Sequence, residues 1–153
     1  MEKNLEALLE LKLPGSTVVV GDGPARAALA RRYPHAHFLG VLHGEALARV
    51  YASADVFAFP SKTDTFGIVL IEALASGLPV AAFPVAGPLD VIGDSGAGAL
   101  NRDLCAACLA ALDIPRERAR EHSLRFTWRE SARQFLQHVE ASRAAAGALG
   151  QAA

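Results

Sequence analysis

Short apolar runs that return at intervals between longer helical segments constrain this chain more than any other feature. "STVVVG" (16–21), "AHFLG" (36–40), "DVFAFP" (55–60) and "PVAAF" (79–83) are rich in β-branched or aromatic residues and bounded by Gly, Pro, Ser or Asp. None shows a polar alternation, so each reads as a strand buried on both faces. Buried strands joined by helices form parallel sheets, because a parallel connection must cross over and a helix is the usual crossover. Helices are expected over about 4–11, 24–32, 44–52 and 66–75. Pro24 suits a first helical position and Gly77 a helix stop.

Beyond Pro84 the pattern changes. "VAGPLDVIGDSGAGAL" is rich in Gly and Asp and carries no strong strand signal, and three helices are expected after it, over about 103–112, 115–124 and 127–145. Thr127 and Glu130 have the spacing of a capping box, and Trp128 is expected to anchor the last helix. The expected organisation is one domain, 1–146, with a frayed tail, 147–153. The chain opens on a helix, whereas an alternating α/β sheet normally begins with a strand near its centre. A first strand is therefore expected upstream of residue 1.

Composition removes several functions. Fifteen basic residues against 16 acidic ones give a formal charge of −1, which provides no overall field for nucleic acid or an anionic membrane. The opening Met1-Glu2-Lys3-Asn4 does not read as a signal peptide, and the longest uncharged run, 73–89, is broken by Gly and Pro. A cytoplasmic protein is expected. Hydrophobic residues make up 52% of the chain, enough for one sizeable core with apolar surface left over for a partner. Cys105 and Cys108 spell C-A-A-C inside an Ala/Leu-rich helix; with no second Cys pair they read as packed thiols.

The chemistry concentrates in "PSKTDTFGIVLIEALASG" (60–77). The loop after "DVFAFP" lies at the carboxyl end of a strand, where open α/β sheets bind ligands. A helix starting near Phe66 presents free backbone amides and the positive end of its dipole, and Gly67 lets an anion approach them. Glu72 follows Asp64 by eight residues, about 12 Å if the path were helical throughout. That spacing suits a nucleotide sugar: diphosphate at the helix start, one carboxylate at the sugar, the other at the ribose diol, since carboxylates accept what hydroxyls donate. A plainer reading stands beside it. Asp64 would cap the helix, and Glu72 would face solvent on a single polar stripe.

The string "FPSKTDTFGIVLIEALASGLPVAAFPVAGP" resembles the donor-site motif of the retaining family-four (group 1) glycosyltransferases. The similarity extends through "VVVGDGPARAALA", "FLGVLHGEALARVYASADVFAFPS" and "EKNLEALLEL", over most of residues 2–95. It implies a Rossmann-like, three-layer α/β/α fold with a parallel sheet, within the two-domain GT-B arrangement, its first strand missing from this sequence and its carboxy-terminal end helical. By the same resemblance Glu72 holds the ribose hydroxyls and Asp64 contacts the transferred sugar. Thr65, Phe66, Gly67 and Ile68 meet sugar and phosphates through the backbone. Lys3 neutralises the leaving diphosphate, and Leu42 lies where main chain meets the base. Gly21 and Gly23 form a tight turn bordering the donor cleft.

Asp64 is one methylene shorter than the family's usual Glu. The partner arginine of Lys3 and the amino-terminal, acceptor-binding domain are expected upstream of this sequence, and any peripheral membrane association would run through that domain. The implied function is the donor-binding half of an enzyme that transfers a hexose from a nucleoside-diphosphate sugar, with no cofactor, no metal and no nucleic-acid partner. The alternatives are a non-catalytic nucleotide-binding fragment and a UDP-sugar epimerase-like domain. "GDGPAR" (21–26) begins like a dinucleotide fingerprint but has Arg26 at the third glycine position, which disfavours NAD. Asp22 reads as a cap for the next helix, His43 as a surface histidine and Lys62 as a solvated lysine.

Overall fold

A computed structural model describes residues 3–63 and 65–151, with side chains described as far as Arg143. The chain divides into two compact units, residues 1–123 and 124–153.

The first unit alternates helix and strand: α1 (Leu5–Leu9), β1 (Val18–Val20), α2 (Arg26–Arg32), β2 (His37–Gly40), α3 (Gly44–Ser53), β3 (Phe57–Phe59), α4 (Ile68–Ala75), β4 (Val80–Ala82), α5 (Ala86–Val91), β5 (Gly98–Leu100), α6 (Leu104–Leu112) and α7 (Arg116–Ser123). Every ladder is parallel: β1 with β2, β3 with β4, and β4 with β5. The four strands expected from the apolar runs are all present, trimmed by one to three residues at their ends, but β1 and β2 are not buried on both faces: Val18 and Leu39 are 44% and 47% exposed. β5 lacks such a run, and neither it nor α5 is among the elements expected from the sequence.

The ladders form two separate sheets, β1-β2 and β3-β4-β5. Helix α1 spans the break. Leu8 joins a buried cluster with Ala81 of β4 and Leu104, Ala107, Cys108 and Ala111 of α6, while Leu9 joins Leu29, Tyr33 and Ala36 beside β1 and β2. In a doubly wound order, a strand preceding α1 would lie between β1 and β3 and join the two ladders. The central strand of the larger sheet, β4, is fully buried, as expected for a strand paired on both edges.

Helix ends follow local chemistry. Gly77 stops α4 in the left-handed region (φ 69°), its N–H donating to Leu74 O and that of Leu78 to Ala73 O, the bond pattern of a Schellman cap. Asp103 caps α6, accepting from the amides of Cys105 and Ala106 at 2.9 and 3.3 Å. Asp22 does not cap α2: its carboxylate accepts from the adjacent Gly23 amide, Pro24 stays in a turn, and the helix begins at Arg26.

Cys105 and Cys108 are free thiols on α6, with Cys108 only 4% exposed; burial, and then the Cys105 side chain, push its thiol up to about 11. Iodoacetamide should therefore alkylate Cys105 at least ~10-fold faster than Cys108 in the native chain, and both equally after denaturation. Equal native rates, read by peptide mass spectrometry, would contradict this packing.

The second unit is α8 (Trp128–Gln151) and the residues leading into it. Thr127 Oγ1 accepts from the Glu130 amide at 3.1 Å, one arm of the expected capping box. The other arm is not made, because the Glu130 carboxylate is taken by Arg133 and Gln134. Trp128, expected as an anchor, is 93% exposed. No helix among the described residues is long and apolar enough to cross a membrane.

Candidate functional site

The loop from β3 to α4 is built around Gly67. It has φ 71° and serves as the N-cap of α4, a conformation that costs L-residues with a Cβ about 1–2 kcal/mol. An added Cβ there would lie 3.1 Å from Leu70 Cδ1 and 3.5 Å from Phe59 Cζ, so the turn packs closely onto the end of β3 and a side chain there would require Leu70 to shift. The Leu70 amide returns to Gly67 O at 2.8 Å. The first amides of α4, Ile68 and Val69, lie at the positive end of the helix dipole. The helix starts at Ile68 rather than near Phe66, so the 12 Å helical path imagined from Asp64 to Glu72 does not exist. Asp64 itself lies outside the described residues.

Helix α4 is not buried all round, as its composition suggests. Leu70, Ala73 and Leu74 face the core with no exposure, while Phe66 and Ile68 are 46% and 67% exposed and Val69, Thr65 and Glu72 are also exposed. The exposed face therefore combines the first-turn amides of α4, an apolar rim and one carboxylate. Glu72 Oε2 accepts a hydrogen bond from the Tyr51 hydroxyl at 3.2 Å. Burial, and then the Glu72 carboxylate, push the Tyr51 phenol up to about 12, so it remains a donor at any working pH.

Other elements converge on this loop. Asn4, in the left-handed region, donates from Nδ2 to the Pro60 carbonyl at 3.0 Å, which brings the turn holding exposed Lys3 beside the carboxyl end of β3. Lys62 is exposed, as expected of a solvated lysine, and its ammonium lies over the Phe83 ring at 4.8 Å, a cation–π contact that ties the loop to the residue after β4. Arg116, a residue for which the sequence offers no local signal, donates to Ala52 O in the last turn of α3, to Ala54 O just past it and to Ser76 O at the end of α4. It satisfies the orphan carbonyls of two helices at once and fixes their ends together.

Gly21 and Gly23 lie after β1; Gly21 has φ 125° and donates to Gly40 O at 2.7 Å. Beside them a cleft of about 400 Å³ is lined by Asp22, Gly23, Pro24, Arg26, Ala27, Ala30 and Phe38. Glu72 is not among its lining residues. Leu42 is half-buried in the loop after β2, next to exposed His43. Among the described residues no three His, Cys, Asp or Glu side chains converge as metal ligands would.

Comparison with known proteins places this geometry in a family. The GDP-mannose-dependent alpha-mannosyltransferase of Mycolicibacterium smegmatis is 37% identical over 151 residues, covering 92% of this chain and 40% of that protein. The solved sucrose-phosphate synthase of Thermosynechococcus elongatus superposes with TM-score 0.73 at 27% identity, over 94% of this chain and 43% of that one. Anabaena HepE, solved in complex with UDP-glucose, gives TM-score 0.68 at 20% identity, over 90% and 44% respectively. The chain thus spans less than half the length of these relatives, and its fold is the Rossmann-like α/β fold of one part of a GT-B enzyme. The family profile described as "Glycosyl transferases group 1" matches residues 3–113, a span that takes in the whole β3–α4 loop and Glu72, and the chain belongs to that family.

Proposed function

We propose that the chain binds the donor in a retaining glycosyltransferase, which moves a hexose from a nucleoside-diphosphate sugar to an acceptor held by a domain outside this sequence. The observation that carries this reading is the exposed face of α4: first-turn amides at a glycine turn, followed one helical turn later by an exposed carboxylate. The diphosphate sits against the amides of Ile68 and Val69, with Lys3 as counter-charge and the backbone of Thr65, Phe66 and Gly67 around it. Glu72 accepts from the ribose hydroxyls and Asp64 from the transferred sugar. Leu42 meets the base, and Gly21 and Gly23 border the same ligand.

The leaving diphosphate gains charge as the glycosidic bond breaks. Pre-oriented amides and Lys3 stabilise that charge without reorganising, which needs no metal. A GDP-mannose-dependent relative and a neighbour solved with UDP-glucose support a nucleoside-diphosphate sugar as the ligand class.

Calorimetry with GDP and UDP tests the assignment. Glu72→Ala should weaken binding of the preferred nucleotide by roughly 10-fold or more, the loss of a charged acceptor for two hydroxyls. Equal affinity of wild type and variant would defeat it.

A further inference from the structure

The contact between Tyr51 and Glu72 joins residues 21 positions apart on different helices, and the surrounding structure holds both ends still. The Tyr51 ring packs on Phe57 (centroids 5.8 Å apart), Phe57 stacks on Phe59 at 6.3 Å, and Phe59 reaches the glycine turn of α4. Arg116 fastens the carboxyl ends of α3 and α4 to one guanidinium. The phenol therefore stands at a fixed place beside an exposed carboxylate that would otherwise sample several rotamers.

We infer that Tyr51 is a positioning residue for the donor site: its hydroxyl occupies Oε2 of Glu72 and so presents Oε1 to the vicinal hydroxyls of the nucleotide's ribose. The inference rests on the reading of Glu72 as the ribose-binding carboxylate. A carboxylate has lone pairs enough for a phenol and a diol together, and Tyr51, as a donor only toward Glu72, does not compete for the diol. Fixing the acceptor before the ligand arrives lowers the ordering cost of binding. An ordinary surface hydrogen bond would have no such dependence on the ligand's hydroxyls.

The test is calorimetry on the purified chain with GDP and 2′,3′-dideoxy-GDP, for wild type, Tyr51→Phe, Glu72→Gln and the double variant. Phenylalanine keeps the ring contact with Phe57, so Tyr51→Phe removes the hydroxyl alone. Wild type should prefer GDP, and Tyr51→Phe should cut that preference roughly 3- to 10-fold while leaving affinity for the dideoxy analogue unchanged. In the Glu72→Gln background the same change should have no further effect. If Tyr51→Phe keeps the full preference while Glu72→Gln loses it, the inference about Tyr51 fails and the reading of Glu72 stands. Equal weakening of both ligands by Tyr51→Phe would mark a merely structural residue and overturn it as well. A preference that survives Glu72→Gln, or a wild type that binds neither nucleotide, would overturn the reading of Glu72 and this inference with it.

Discussion

Leu74→Ala should lower the unfolding free energy by about 3 kcal/mol, a fall of roughly 10 °C in Tm for a chain of this size. Leu74 is fully buried on α4, beside Leu70 and Ala73, which are equally inaccessible. Truncation removes the transfer free energy of three carbons and leaves a void, since the walls of a close-packed core relax only in part. Ile68→Ala, six residues earlier on the same helix, should change stability by no more than ~0.5 kcal/mol, because its side chain is mostly in solvent. Urea titrations of the two variants decide the matter. Equal losses would mean that α4 is buried all round, as its composition suggests, and that the exposed face proposed to receive the donor is wrongly drawn.

That helix marks the boundary of what the sequence makes legible. "IVLIEALA" announces a helix, because Leu, Ala and Glu favour it and Gly67 and Gly77 bracket it. It cannot say which of its apolar residues meet the core. Ile68 and Val69 look like core residues and lie outward, and the position of Glu72 on that outward face depends on where β3, β4 and α7 leave room. The strands are legible for a different reason. An unbroken apolar run is a local property of composition, and β1 to β4 all have one although only β4 is buried throughout, whereas their exact ends are decided by partners about 20 residues away.

Two elements contradict local preference. "AGPLDV" holds Gly and Pro, yet forms α5, because Pro88 falls within the first turn, where an amide would have had no intrahelical partner, and because Gly87, Pro88 and Val91 are buried against neighbours. β5 is "GAL", with nothing in its composition to name it a strand; the free edge of β4 supplies the reason. Within the candidate site, the glycine turn, Lys3 and Glu72 were reachable because their pattern resembles a family's. Tyr51 and Arg116 were not, since each acts through a contact at long separation in the chain that leaves no spacing to read.

Gly98→Ala should be comparably severe, at about 3 kcal/mol, although it adds a single methyl group. Gly98 stands opposite Val80 in the β4–β5 ladder, and an added Cβ would lie 2.5 Å from the Val80 carbonyl oxygen and 3.2 Å from two carbons of Ile92. Ile92 could turn aside by changing rotamer, but the carbonyl belongs to the backbone of a buried, doubly paired strand and has no such freedom. β5 must therefore draw away from β4, loosening the pairs Ala81–Ala99 and Ala82–Leu100 and the seat of α6 above them. Gly23→Ala is the matched control. It adds the same methyl where no atom lies within 4 Å, at a backbone conformation open to any residue, and should leave the urea midpoint nearly unchanged. A Gly98 variant as stable as the Gly23 variant would mean that β5 is not held in this register, and the edge of the sheet after β4 would then need a different account.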